Sequence, residues 1–584
     1  MVKDEENHRQ SLAARLRTSE HLPGLLLFLV NLVLLLPALL PALTDLGVWD
    51  QPAYIASGQR LIDAGILPGF AGNPLTSAFY ALTYLPFRRS PLWMVHSCSL
   101  GRIILFSLLW LALYVIGREL DDLLPPLLLP GILLVTPLAA DVMMFPSDPL
   151  FAALAGLSFW QCLRYINRRE LRSIALASLF LALAALARND GIILFPILVV
   201  LTLLGHWRDP RWKQALLSVV LPFAILVGGY ILVYGLVTGN FDPGTAVRTY
   251  ENFESGQQLV LDASGEINSV IESRMQAREF FGTPEENNHN VFRAIMRNPT
   301  EYFKRVRLVL PELLKALLDA YGKRFSPILF LLALQGIVVV ARQKDWRRLA
   351  LFLLWPAHLL TGFIITIFRP GHLTFVYFIV YGLAAIGLAH LIDTPPRWRT
   401  RYLWTGILAS LAIYGLMDNK LAFFYAAVVL LLAFLIISIM QLKEASYTRA
   451  AALLILAAAG IILRQGYPSP RLRDMGASEA EQAVIFMSEA LPDNSIVAAG
   501  SPGYIQAARM SYFGLASTDT PYEDPSPTFL AWMQDQGVQY LFADYSLWTE
   551  NPRVWEKLEP ALGDALVEIF SSSEGDIRIY ELQP

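Results

Sequence analysis

The sequence predicts an α-helical polytopic membrane protein, with about 13 transmembrane helices and a small C-terminal α/β soluble domain. Three observations predict it. Of the 584 residues, 55% are hydrophobic and only 16% are charged; a typical soluble domain carries about 25% charged residues. Charges are almost absent from long stretches between residues 24 and 464. The tail after Arg464 returns to an ordinary mixture of residue types.

Each candidate span is a run of about 20 mostly apolar residues, the length that crosses a hydrocarbon core. The runs fall near 24–44, 94–117, 124–144, 149–166, 171–188, 190–206, 213–238, 325–342, 347–368, 373–392, 401–417, 420–441 and 449–464. The polar start, MVKDEENHRQSLAARLRTSEH, is too long for a secretory n-region. The run after it carries no cleavage signature, so it reads as a retained first helix.

Loop charge tests this count, because one misassigned helix would flip every later loop. Residues 1–23 are placed in the cytoplasm. The loops then predicted inside hold Arg164, Arg168, Arg169 and Arg172; Arg208, Arg211 and Lys213; Arg342, Lys344, Arg347 and Arg348; Arg397, Arg399 and Arg401; and Lys443 and Arg449. The short outer turns are poor in Lys and Arg. Only the loop RELDDLLPP after Gly117 runs against the bias. An odd number of spans puts the C-terminus outside.

Three outer segments are long: 45–93, 239–324 and the terminal domain 465–584. The second includes RAIMRNPTEYFKRVRLVLPELLKALLDAYGKR, apolar at helical spacing with basic residues between. It fits equally an interfacial helix lying on the membrane or a helix packed on neighbouring loops. In the tail, EAEQAVIFMSEAL reads as an amphipathic helix, and TFLAWMQDQG as a helix stopped by glycine. SIVAAG (495–500) and VQYLFADYS (538–546) read as buried strands, and ALVEIFSSSEGDIRIYEL as a hairpin. The tail shows no catalytic constellation, so packing or partner binding is its expected work.

The net charge of −3 gives no reason to expect a nucleic-acid partner. Both cysteines, Cys98 and Cys162, lie in apolar runs, so neither a disulfide framework nor a zinc site is expected.

Charge near lipid is expensive, so each instance is a functional hypothesis. Four outer turns carry such residues. In LTDLGVWDQPAYIASGQRLIDAG, Asp50 stands before an amphipathic helix, with Tyr54, a candidate substrate- or phosphate-binding residue, one turn on and Asp45 nearer the membrane. Asp50 suits a helix N-cap or, equally, a general base or metal ligand. In MMFPSDPLF, Asp148 is either a cap beside Pro149 or a second acidic group, with Asp141 just before it. In LARNDGIILFP, Arg188 and Asp190 are a local ion pair or part of a cavity wall. In FRPGHLTF, Arg369 forks onto phosphate oxygens or anchors at the head groups, with His372 as a further donor. Carboxylates and arginines sharing one side suit transfer from a phosphate-linked donor. A carboxylate deprotonates the acceptor hydroxyl, and arginine stabilises the departing phosphate. No cofactor is demanded; a divalent cation held by Asp50 and Asp148 is one way to add charge, and the metal is left unknown.

WDQPAYIASGQRLI (49–62), FPSDPLF (145–151), ARNDGIILFP (187–196) and FRPGHLTFVYFIVYGLAAIGLAHLI (368–392) carry a family likeness. The chain resembles the GT-C superfamily of membrane glycosyltransferases, which includes protein O-mannosyltransferases and bacterial aminoarabinose transferases. Asp50 and Tyr54 match its first-loop acid and tyrosine, and Asp148 its second acid. Arg188, Gly191 and Pro196 match a turn leading into a proline-containing helix. Arg369 is a looser counterpart of a late arginine. Two departures leave metal use and donor identity open: Asp50–Gln51 where Asp-Glu is common, and Arg369-Pro-Gly-His where Arg-Tyr is usual. The resemblance implies a polyprenyl-phosphate sugar donor and an inverted glycoside product. The acceptor, whether lipid, polysaccharide or protein, stays unassigned.

On this reading the protein is a multi-pass cell-membrane glycosyltransferase working on the extracytoplasmic side, with Asp50 as base. Competing readings are a transporter or flippase, a polysaccharide ligase, and a non-catalytic scaffold. A transporter would place charges near the midplane and show internal repeats. The charges here sit at helix ends, and no repeat is evident.

Overall fold

The computed structural model describes residues 51–120, 129–130, 147–261, 270–311, 326–359, 376–393 and 477–583, apart from short breaks inside these ranges. The spans read near 24–44, 401–417, 420–441 and 449–464, and nearly all of 124–144, lie outside them. So do Asp45, Asp50, Asp141, Arg369 and His372.

The first loop builds helices α1 (Gln51–Asp63) and α2 (Pro74–Tyr84). Helix α3 (Trp93–Glu119) follows, then α4 (Ser147–Arg168), α5 (Leu171–Ala187) and α6 (Asp190–His206). Helix α7 (Trp212–Phe223) continues through a π turn at Ala224–Gly228 into α8 (Gly229–Thr238). Pro222 inside α7 removes a backbone donor, and a π turn just beyond it is a common way to absorb that loss. Among the described residues, Trp93–Glu119 and Trp212–Thr238, each 27 residues, are long and apolar enough to cross a membrane. The first is 61% buried over its most apolar window and the second 17%, so α3 belongs to the core and α7–α8 to the periphery.

Helix α5, LRSIALASLFLALAALA, is rich in Ala and Leu, the strongest helix formers. It ends where Arg188 adopts an extended backbone (φ −162°, ψ 136°). Asp190 then opens α6, its charge favourable at a helix N-terminus. Gly191 is required here: a Cβ would lie 2.4 Å from the backbone nitrogen of Ala185. The hairpin can therefore close tightly only with glycine at this position.

The bundle core joins α3 to α6 with α12 (Ser326–Arg342), α13 (Trp346–Leu354) and α14 (Tyr377–Asp393). Phe159 of α4 sits at its aromatic centre, 5.3 Å from the Phe352 ring, 5.6 Å from Trp355 and 5.1 Å from Phe378. Helix direction defines two faces. Asn167 near the end of α4 donates to Glu119 at the end of α3 and accepts from Arg348 at the start of α13. The opposite ends of α3 and α4, the end of α5 and the end of α8 therefore lie together on the face that carries the first loop.

The second loop contains α9 (Thr245–Ser255), α10 (Val270–Phe281) and α11 (Val291–Arg297), followed by a helical stretch at 299–308. It has a small core of its own, built on Tyr250, Phe253, Ala277, Phe281, Val291, Ala294 and Tyr302. The continuous helix expected from residue 293 onward is broken at Asn298–Pro299. There the Asn298 side chain accepts from the Glu301 amide at 3.2 Å and starts a new helix.

The C-terminal segment folds around a five-stranded sheet of order β2-β1-β3-β5-β4. Strand β1 (Ile496–Ala499) runs parallel to β2 (Ser511–Gly514) and to β3 (Tyr540–Ala543). Strands β4 (Leu566–Ser571) and β5 (Arg578–Leu582) form an antiparallel pair beside β3. Helices α15 (Ala477–Ala490), α16 (Gly503–Ala507) and α17 (Ser526–Asp535) flank the sheet.

Candidate active site

The first loop is built by close backbone contact. A Cβ on Gly58 would lie 2.5 Å from the Ala81 backbone nitrogen, so α1 and α2 meet only because this residue is glycine. Asn73 precedes α2 with a left-handed backbone (φ 50°), which asparagine tolerates better than most residues. Its side-chain amide donates to the Tyr54 hydroxyl at 2.7 Å, both groups being buried. Tyr54 is thus part of the frame that fixes α1, whose first residue follows Asp50 directly.

The loop is hydrogen-bonded to the bundle. The Thr76 hydroxyl donates to the Ala187 carbonyl at 2.9 Å, a single residue before Arg188. At that turn the Arg188 Nε donates to Asp190 at 2.5 Å, both side chains part-exposed. The local ion pair that the sequence allows is therefore present. Asp148 is the second residue of α4, at the end of that helix on the same face.

Two residues that loop-charge reasoning misses belong to this region. The short 3-10 turn Trp355–His358 packs against α6, the helix that Asp190 opens, and His358 is buried there. Its Nδ1 donates to the Trp355 carbonyl at 2.7 Å, so the proton of a neutral ring sits on Nδ1. Arg102, in the half of α3 nearest the first loop, is only 2% exposed. The neighbouring Gly101 admits the Tyr80 ring, which a Cβ would approach to 2.9 Å. Each is a lone ionisable group in an apolar run, a signal readable in the sequence.

The far end of α1 is held by Asp63. It accepts from the Tyr84 hydroxyl at 2.7 Å and from Gln59 at 3.0 Å, and pairs with Arg88 at 2.7 Å. Burial works to raise its pKa. The Tyr84 and Gln59 hydrogen bonds and the Arg88 charge outweigh that and hold it below the ordinary 3.8.

The C-terminal segment closes over this loop. Tyr54, Ile55, Tyr84 and Trp93 share one apolar core with Val484, Met487, Ile505 and Met510. The Trp93 indole donates to the Ala507 carbonyl at 3.1 Å, and Arg509 donates to the Arg88 carbonyl at 2.7 Å. Among the described residues no group of three His, Cys, Asp or Glu side chains is placed to hold a metal ion.

No protein-family model matches the chain, and no curated protein matches it by sequence. Solved structures do. ArnT from Cupriavidus metallidurans bound to undecaprenyl phosphate superposes with a TM-score of 0.58 at 13% identity, covering 96% of this chain and 98% of that one. Its apo form gives 0.56 at 12% identity, covering 94% and 97%. The chain has the fold of ArnT. An oligosaccharyltransferase from Archaeoglobus fulgidus aligns more loosely, with a TM-score of 0.47 at 13% identity over 88% of this chain and 70% of that one. The ArnT fold accounts for helices that pack as a bundle while α7–α8 leaves most of its surface outward.

Proposed function

We propose that the protein transfers a sugar from a polyprenyl-phosphate-linked donor to an acceptor hydroxyl on the extracytoplasmic side of a cell membrane. The observation that carries this reading is the Thr76–Ala187 hydrogen bond. It joins the loop whose helix begins directly after Asp50 to the turn bearing Arg188. A carboxylate and an arginine at one membrane face are the pair this chemistry needs. Undecaprenyl phosphate bound to ArnT, which has the same fold, supports the donor class.

In the proposed step Asp50 accepts the proton of the acceptor hydroxyl, and the oxygen attacks the anomeric carbon. The bond from that carbon to phosphate oxygen breaks, and the charge left on the phosphate is met by Arg188 and Arg369. Asp148 assists at the same face, and His372 adds a donor. Tyr54 acts by holding α1 through Asn73. Asp50 and Asp148 are the residues that would hold a divalent cation, which would supply positive charge to the phosphate. The sugar and acceptor are left to experiment.

The test supplies membranes containing the protein with a labelled polyprenyl-phosphate sugar. Asp50→Asn is expected to slow transfer by about 10²-fold or more, the ordinary contribution of a general base. Arg188→Gln is expected to cost about 10²-fold, as for loss of one charge-stabilising donor. Unchanged transfer by Asp50→Asn would rule out the base assignment.

A further inference from the structure

We infer that the second loop lies on the bilayer, with α11 and the helical stretch 299–308 seated in the head-group region of the leaflet at the loop face. The inner faces of these helices are already occupied. Val291, Ala294 and Tyr302 are buried in the loop's own core, and Asn290 caps α11 by accepting from the Phe292 and Arg293 amides. Their opposite faces carry Phe292, Met296 and Phe303, which are 70%, 76% and 67% exposed, and Leu308, which is half-exposed. Side chains of this size so exposed in successive helices mark a surface made for an apolar partner.

Two observations select the bilayer as that partner. The first is continuity. Helix α8 leaves Leu236 and Val237 exposed up to its last turn, so its apolar surface ends where the second loop begins. Phe241 then folds back onto the helix at Gly235, where a Cβ would meet its ring at 2.2 Å. The chain therefore leaves α8 with Phe241 packed back on the end of that helix. The second is charge. Exposed Arg293 and Arg307 lie beside the apolar residues and form no ion pair among the described residues. By contrast, Arg297 and Lys304 are paired with Glu286 and Glu301. Apolar side chains flanked by uncompensated cations fit a surface with a greasy interior and anionic head groups. They do not fit a neutral polysaccharide.

The experiment uses the full chain reconstituted in vesicles. Cys98 and Cys162 are both buried, so single introduced cysteines can be labelled. Phe303→Cys, Met296→Cys and the control Gln536→Cys on the terminal segment would each carry an environment-sensitive fluorophore. Lipid-borne nitroxide is expected to quench positions 303 and 296 at least about threefold more than position 536, with aqueous iodide ranking them in reverse, as for a helix buried about 5–10 Å into the interface. Adding phosphatidylglycerol to phosphatidylcholine vesicles is expected to deepen the lipid quenching. Arg293→Gln with Arg307→Gln is expected to remove that dependence. Strong iodide and no lipid quenching at 303 would overturn the inference. So would protection that rises with protein concentration in detergent alone, which would make a second copy the occupant.

Discussion

The two long loops lie on one face of the bundle and are secured by different physics. The first is welded. Its aromatic residues enter a common core with the terminal segment, and its two helices touch backbone to backbone at Gly58. The second keeps a small private core and adds buried charge to it. Glu254 is 1% exposed and paired with Arg278 at 2.8 Å. Arg305 lies over the Phe253 ring at 4.8 Å, its pKa pulled down to about 10 by burial. Apolar burial stabilises in proportion to area, whereas a buried ion pair must first recover its desolvation cost. The first loop is therefore the rigid one, and it is the loop proposed to carry the base. The second is the unit expected to open first.

Four measurements test this contrast. The largest effect belongs to Gly58→Leu. It should force α1 from α2, cost about 1–3 kcal/mol or more, and nearly abolish transfer. Retained transfer and stability would show that the weld is not needed. Next, Trp93→Phe should remove the indole donor to Ala507 while keeping an aromatic ring. A loss of about 0.5–1.5 kcal/mol is expected, seen as faster hydrogen exchange in α1 with the second loop unaffected. Third, Phe303→Ser should leave thermal stability in detergent within about 0.5 kcal/mol, as for a surface position. The same change in the first-loop core, Ile55→Ser, should not be tolerated so lightly.

The smallest effect is on pH. Asp63 is held below its ordinary pKa, so its contribution is complete above that value and fades only as pH falls through the lower, folded value. Glu254 behaves oppositely. Burial raises its pKa despite the hydrogen bond and charge of Arg278, so ionisation strains the second loop as pH rises through the raised value. As pH falls toward the ordinary 4.5, hydrogen-exchange protection in α9 and α10, corrected for the intrinsic exchange rate, should rise slightly, leaving that of α1 unchanged. Parallel responses in both loops would remove the distinction.

What is legible in the sequence depends on how local each feature is. Runs of apolar residues locate helices such as Trp93–Glu119 and Asp190–His206 to within a few residues, because length and composition alone specify them. The Arg188–Asp190 turn is legible from three adjacent polar residues. Strand β2 is not. Its four residues, SYFG, are part-exposed and show no alternation. Helix α2 hides in PLTSAFYALTY, whose threonines and aromatics argue weakly for a helix; Pro at its start and packing on α1 decide it. His358 and Arg102 carry a readable signal, a lone ionisable group in an apolar run, which attention to loop charges alone passes over. The weld between the first loop and the terminal segment has no local signature at all.

That weld has a temporal consequence. Trp93 and its acceptor at Ala507 are 414 residues apart in the chain. At synthesis rates of about 5–20 residues per second, roughly 20 to 80 s separate the two. Through that interval α1 and α2 have emerged but lack the surface that completes their core. The nascent protein must hold open aromatic side chains at the membrane rim until its last strands are made. A ribosome that stops early leaves a bundle whose first loop is never seated, however well its helices have inserted.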